Sequence, residues 1–206
     1  MRFVKMHGIG NDYVYINGFE TAVEDPSALA RRIADRHFGV GGDGLILVMP
    51  PDAGVDADVR MRMFNADGSE AEMCGNGIRC VCKLAHDHEV KPGIRDANPM
   101  RVQTANGVLS LAYELGGDGM VATVAVDMGE PILEWPKVPV DEFRIDDALE
   151  GATFVSMGNP HVVLFVDQLN DQHFARGPAL ETHPAFPNRI NVHFVQVHSP
   201  EEVTVT

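Results

Sequence analysis

The sequence predicts an α+β protein in which strands outnumber helices, and three observations carry this. "VRMRMF" (59–64) alternates apolar and polar residues with the period of a half-buried strand. Two more alternating runs, "GVLSLAYEL" and "MVATVAVDM", flank "GGDG" as the arms of a hairpin flank its turn. Helical period with start or stop signals is confined to two stretches.

In chain order, residues 4–16 read as strand on both sides of the turn "GIGND". A helix is expected over 26–38. Asp25 can cap it, Pro26 suits its first turn, Leu29, Ile33 and His37 share a face, and Gly39 stops it. "LILVM" (45–49) reads as a buried strand, and "VRMRMF" as another that runs into the turn "NADGS". From Ile78 the pattern is helical, with Ile78, Val81, Cys82 and Ala85 on one face. After the hairpin, "PILEWPKVPVDEF" (131–143) is punctuated by prolines and reads as irregular. "TFVSMGNPHVVLFVD" (153–167) and "NRINVHFVQV" (188–197) supply further strands, and "EVTVT" begins another. Gly-Asn stands before a β run twice, in "GIGNDYVYI" and in "SMGNPHVVLF". Chance and internal duplication both account for that pattern. Under duplication, the second half lacks a counterpart of "NADGSEAEMCGNG".

Composition excludes several classes of function. Sixteen Lys+Arg against 30 Asp+Glu give a net charge of −14, which opposes sequence-independent binding to nucleic acid or to an anionic membrane. The longest apolar runs, "LILVM" and "VVLFV", are strand-sized and far short of a membrane span. No signal-peptide pattern opens the chain, and three cysteines cannot all pair. A cytoplasmic protein is expected.

"GVGGDG" (39–44) matches G-x-G-x-x-G, but a dinucleotide fingerprint needs a strand before it and a helix after it. Here the order is reversed, so the stretch reads as a turn. All three cysteines lie in "EMCGNGIRCVC" (72–82). Cys80, Cys82, His86 and His88 raise the question of a metal, and Cys82 and His86 are four apart on a helix. Structural zinc ligands usually come from loop knuckles, and Cys82 fits the apolar stripe, so core packing accounts for it better. Cys74 differs. It stands where a turn meets a helix, with Gly75 and Gly77 removing bulk around it. The unpaired N–H groups of a first helical turn stabilise a thiolate, and they can also bind a carboxylate whose charge grows as an enolate forms. This describes a carbon-acid site with a base, an oxyanion cradle and no cofactor motif; a helix N-cap with an incidental cysteine is the alternative. Asn11, Asn65, Asn76, Asn159 and Asn191 lie at turns and strand edges, where amides reach a ligand's carboxylate and ammonium. Taken singly, each reads better as a turn former.

In order and together, "KMHGIGNDYVYI", "RHFGVGGDGLI", "FNADGSEAEMCGNGIRC", "VSMGNPHVV" and "FPNRINVHFV" resemble the diaminopimelate epimerases from Lys5 to Val195. Proline racemases, similar in architecture, embed their first cysteine in other surroundings. The resemblance implies a pyridoxal-free isomerase, with no cofactor and no metal, that interconverts LL- and meso-diaminopimelate in lysine and peptidoglycan precursor synthesis. It implies two cysteines on opposite faces of the substrate Cα, with Cys74 matching the first. Asn11, Asn65, Gly75, Asn76, Asn159 and Asn191 match substrate contacts. His161 matches a histidine that tunes the cysteine pair. The implied fold is two similar, mainly antiparallel β-rolls, each wrapped round a central helix. Their boundary falls at the "GGDG" hairpin, as domains 1–117 and 118–206, with the second incomplete. A homodimer that binds a small-molecule substrate, with no nucleic-acid or membrane partner, is also implied.

Two departures stand out. Gly44 occupies the place where some members have a glutamine, which removes one possible contact. The family's second block, Glu-Arg-Gly followed by Cys-Gly-x-Gly, is absent, so the 206-residue chain alone is expected to be inactive. The competing expectations are a non-catalytic binder of carboxylates or amino acids and a related racemase of the same fold.

Overall fold

Local pattern becomes two units, Met1–Met128 and Gly129–Thr206, in a computed structural model that describes residues 1–134, 137–187 and 189–206. Unit one contains β1 (Val4–Gly8), β2 (Asn11–Asn17), α1 (Pro26–Ile33), β3 (Gly44–Met49), β4 (Val59–Asn65), β5 (Glu70–Ala71), α2 (Gly75–Asp87), β6 (Met100–Thr104), β7 (Gly107–Leu115) and β8 (Val121–Asp127). Its sheet runs β1-β2-β3-β4-β6-β7-β8, with β5 added to β4. All ladders are antiparallel except β2–β3 and β4–β6.

α2 is apolar nearly all round, and such a helix must be enclosed. Ile78, Cys80, Val81, Cys82, Leu84 and Ala85 are buried. α2 packs against both edge strands, β1 and β8, and against the strands between them, so the sheet curls round it as a roll. Tyr13, Tyr15, Ile46, Val48, Met61, Met63 and Leu111 supply the facing core. Each large aliphatic side chain buried here contributes roughly 1.5–3 kcal/mol. β2 and β3 are covered on their other face too, where Val14, Ile16, Leu45 and Leu47 meet Ala30 and Ile33 of α1. Burial on both faces explains why "LILVM" does not alternate.

α1 is shorter than expected, ending at Ile33 instead of reaching 38. The Asp35 carboxylate accepts from the N–H groups of His37 and Phe38 at 2.7 and 2.8 Å, and Val40 and Gly41 donate back to the Ile33 carbonyl. A short polar side chain thus outcompetes the helical ladder. His37 is exposed in consequence, not on the apolar face. The "GGDG" hairpin lies inside unit one, because β8 pairs along β7 and carries the division on to Met128.

Unit two contains β9 (Thr153–Ser156), β10 (Pro160–Phe165), α3 (Asp171–Glu181), β11 (Asn191–Ser199) and β12 (Glu202–Val205), in the sheet order β12-β11-β10-β9. Val162, Leu164, Leu180, Phe186, Ile190 and Phe194 form its core. The expected irregular stretch over 131–143 shows one isolated bridge, Ile132 to Ser156, and a 3-10 turn at Glu142–Arg144; residues 135 and 136 lie outside the described residues. Residue 188, where a strand was expected to begin, is also outside them, and β11 starts at Asn191.

The two units share a connectivity. β1-β2-α1-β3-β4 and β9-β10-α3-β11-β12 each pair antiparallel, parallel, antiparallel, with the helix between the second and third strands. Asn11 opens β2, and Asn159 immediately precedes β10. This match favours duplication over chance for the repeated Gly-Asn.

Candidate functional site

Cys74 is the N-cap of α2, in an extended conformation that ends the preceding turn. Its Sγ accepts from the Gly77 N–H at 3.3 Å and donates to Asn11 Oδ1 at 3.3 Å, joining residues 63 apart in the chain. The N–H groups of Gly75 and Asn76 belong to the first turn, where the helix offers no acceptor. Gly8 lets that turn approach: a Cβ there would lie 3.0 Å from the Asn76 carbonyl oxygen and 3.0 Å from its Cβ. The adjoining hairpin turn places Ile9 at φ 52° and Gly10 at φ 85°, and a β-branched residue adopts the first only at a cost.

The other thiols are inside the roll. Cys80 is 6% exposed and Cys82 0%. Burial raises both pKa values, that of Cys82 to about 12. At a pH of about 8, roughly one Cys82 in 10⁴ is therefore a thiolate. Iodoacetamide is expected to label Cys74 first in the folded chain and the other two only on unfolding. Equal labelling of all three under native conditions would remove the distinction. His86, which shares the helix with Cys82, is 3.0 Å from Asp87 Oδ1 and edge-on to Tyr113. Among the described residues no group of three or more His, Cys, Asp or Glu is arranged to hold a metal.

Asn11 is held from its other end by Asp43, whose Oδ2 accepts from Asn11 Nδ2 at 2.8 Å and from the Asp12 N–H at 2.9 Å. Arg36 bridges Asp43 and Asp12 at 3.0 and 2.7 Å, and Lys5 reaches Asp12 at 3.0 Å. Hydrogen bonds from Arg36 and then Lys5 lower the Asp12 pKa to about 2. The turn "GVGGDG" therefore anchors the amide beside the thiol. Asn65 closes β4 and donates to Ser69 Oγ at 3.0 Å. It pairs in register with Gly44, which pairs with Tyr13 on β2, so Asn65 lies at the same end of the sheet as Asn11. Asn76 accepts at Oδ1 from the Arg79 guanidinium. Gly44 admits no side chain: a Cβ there would lie 2.0 Å from the Phe64 carbonyl oxygen.

In unit two, Asn159 Oδ1 is 2.9 Å from His161 Nε2, and Asn191 Nδ2 donates to the Pro160 carbonyl at 3.0 Å. His161 and Asn191 are partners across the β10–β11 ladder. The second imidazole nitrogen of His161, Nδ1, is 2.8 Å from His193 Nε2. Burial and the neighbouring His193 lower the His161 pKa below 6.5, and burial lowers that of His193. The unfolded chain thus binds more protons at these rings than the folded one. The stability they contribute is present above 6.5 and lost as pH falls through the depressed values. Thermal midpoints are expected to drop between about pH 7.5 and about pH 5, and replacing both histidines by phenylalanine should flatten that slope. An unchanged slope in the double variant would assign the effect to other groups.

The family model described as diaminopimelate epimerase matches residues 3–134 and 153–206. The chain belongs to the diaminopimelate epimerase family. It is 49% identical over 207 residues to a diaminopimelate epimerase of Acetivibrio thermocellus, covering 96% of this chain and 71% of that protein. With a diaminopimelate epimerase of Desulfitobacterium hafniense it shares 48% identity over 218 residues, covering 100% and 74%. Its fold is similar to that of a probable proline racemase from Agrobacterium radiobacter, with a TM-score of 0.66 over 98% of this chain and 68% of that one. At 14% identity that likeness concerns the fold alone. Membership makes the chain an isomerase of the pyridoxal-independent epimerase type. Among the groups around these candidate epimerase residues, Asp43 and His193 escaped the sequence reading. Neither stands in a spacing that announces its contact with the site, since Asn11 and His161, the residues they hold, are each 32 residues away.

Proposed function

We propose that the chain serves the epimerisation of LL- to meso-diaminopimelate, with Cys74 as one of the two bases. The observation that carries this is a partly accessible thiol capping the central helix and hydrogen-bonded to Asn11, while the other two cysteines are enclosed. Once deprotonated, Cys74 takes the proton from the substrate Cα, and the thiol so formed is the state that donates to Asn11 Oδ1. The electron pair left behind spreads onto the adjoining carboxylate, which the N–H groups of Gly75 and Asn76 stabilise more strongly as its charge grows. Asn11 aims the thiol. Asn65, Asn76, Asn159 and Asn191 hold the substrate's carboxylate and ammonium groups, and His161 adjusts the proton affinity of the cysteine chemistry. Inversion requires a proton to arrive on the opposite face from a second thiol, and neither Cys80 nor Cys82 meets that need from inside the roll. The two units act as two related epimerase domains, and a cytoplasmic homodimer belongs to the same reading; sedimentation gives the oligomeric state.

The test is exchange with solvent. Incubated with LL-diaminopimelate in heavy water, the protein incorporates deuterium at Cα, read by mass spectrometry, and loses this after alkylation of Cys74. Absence of exchange by the unmodified protein would overturn the assignment of Cys74 as a base.

A further inference from the structure

We infer that His193 is a positioning residue that fixes the tautomer of His161 and, through it, turns the Asn159 amide so that its Nδ2 donates to a substrate carboxylate. The inference rests on the proposed role of Asn159 as a substrate contact. The argument runs along one chain of contacts. Asn159 Oδ1 lies 2.9 Å from His161 Nε2, and a carbonyl oxygen only accepts, so Nε2 carries the proton. A neutral imidazole protonated at Nε2 has a bare Nδ1, which needs a donor. His193 Nε2, 2.8 Å away, is placed to be that donor.

The backbone holds the arrangement. His161 pairs with Asn191 and Val163 with His193 in the parallel β10–β11 ladder, so both rings stand on one face of the sheet. The rings lie edge to edge, with centroids 5.1 Å apart and planes 27° from parallel, the disposition an in-plane N–H···N bond requires. Burial favours the neutral form of each, and in that form the direction of donation is determined. Every link then points the same way, from His193 to His161 to Asn159. With its oxygen engaged, the amide presents its two N–H bonds, and a carboxylate is the ligand group that accepts them. Asn191, paired with His161 across the ladder, donates to the Pro160 carbonyl and not to Asn159.

Two-bond proton–nitrogen correlation spectra of the ¹⁵N-labelled protein, recorded near pH 7.5, test this directly. His161 is expected as the Nε2–H tautomer in the unaltered chain. In His193→Phe, which keeps an aromatic ring without a donor, it should become a mixture in which Nδ1–H gains. In His193→Gln, which keeps a donor, the preference should persist. A proton on Nδ1 in the unaltered protein, or an undiminished Nε2–H preference in His193→Phe, would overturn the assignment. If His193→Phe loses its dispersed amide spectrum, the unaltered protein and His193→Gln still decide. Addition of LL-diaminopimelate should shift the Asn159 side-chain N–H resonances. No shift there would overturn the last link, from Asn159 to substrate, and that part of the proposed function with it, while leaving the His193–His161 link standing.

Discussion

Cys74→Ser is expected to slow α-proton exchange by roughly 10²–10⁴-fold, the range over which a positioned acid or base contributes, while leaving the fold as stable as before. Serine is a good N-cap, so the bond now made by the Gly77 N–H to Sγ passes to a hydroxyl oxygen. The Asn11 oxygen likewise keeps a donor. A hydroxyl, however, ionises far too weakly near neutral pH to take the proton. Cys74→Ala separates the two roles from the other side: it should lose the same activity and in addition about 1 kcal/mol of stability with the cap. Exchange rates by mass spectrometry and urea unfolding of both variants are the measurements. A serine variant with exchange within about threefold of the parent would show that Cys74 is a cap and no more.

Gly44→Ala should be among the most destabilising single substitutions in unit one, by about 3 kcal/mol or more, the upper end of overpacking costs. Gly44 opens β3 at φ 158°, between Tyr13 on one side and Asn65 on the other. A Cβ would meet the Phe64 carbonyl oxygen at 2.0 Å and the Tyr13 ring at 2.9 Å. The first is backbone within the β3–β4 ladder, so relief requires the strands to part. Phe64, 3% exposed, would move with it and disturb its packing on α1. Urea unfolding measures the loss, and a change below about 1 kcal/mol would show that the ladder yields easily.

Much of the fold was legible because it is local. The Gly8–Gly10 turn, the alternation of β4, the hairpin of β7 and β8 and the start of α2 at Cys74 are each encoded within a few neighbouring residues. β6 could have been read as well, since Met100, Val102 and Thr104 are buried at alternate positions. α3 was concealed by Gly177 and Pro178, which read as breakers. It stands through its Asn170–His173 capping box and the packing of Leu180 in the unit-two core. Asp35 shows the reverse case, a polar side chain that shortened α1 against an otherwise helical pattern.

By itself the sequence determined the strand-rich class, the helix start at Cys74, the repeated Gly-Asn and the residue types of the candidate site. These follow from covalent neighbours, whose periodicity and turn chemistry act over a few residues. The burial of Cys82 was legible on its apolar stripe, but the enclosure of Cys80 as well, which leaves Cys74 at the rim beside Asn11, was decided only when the sheet curled round α2. The holding of Asn11 by Asp43, the pairing of His161 with His193 and the exclusion of any side chain at Gly44 were likewise decided by tertiary structure. Each depends on strand register between segments 20 to 32 residues apart, and register is set by burial of whole faces, which no short stretch of sequence contains.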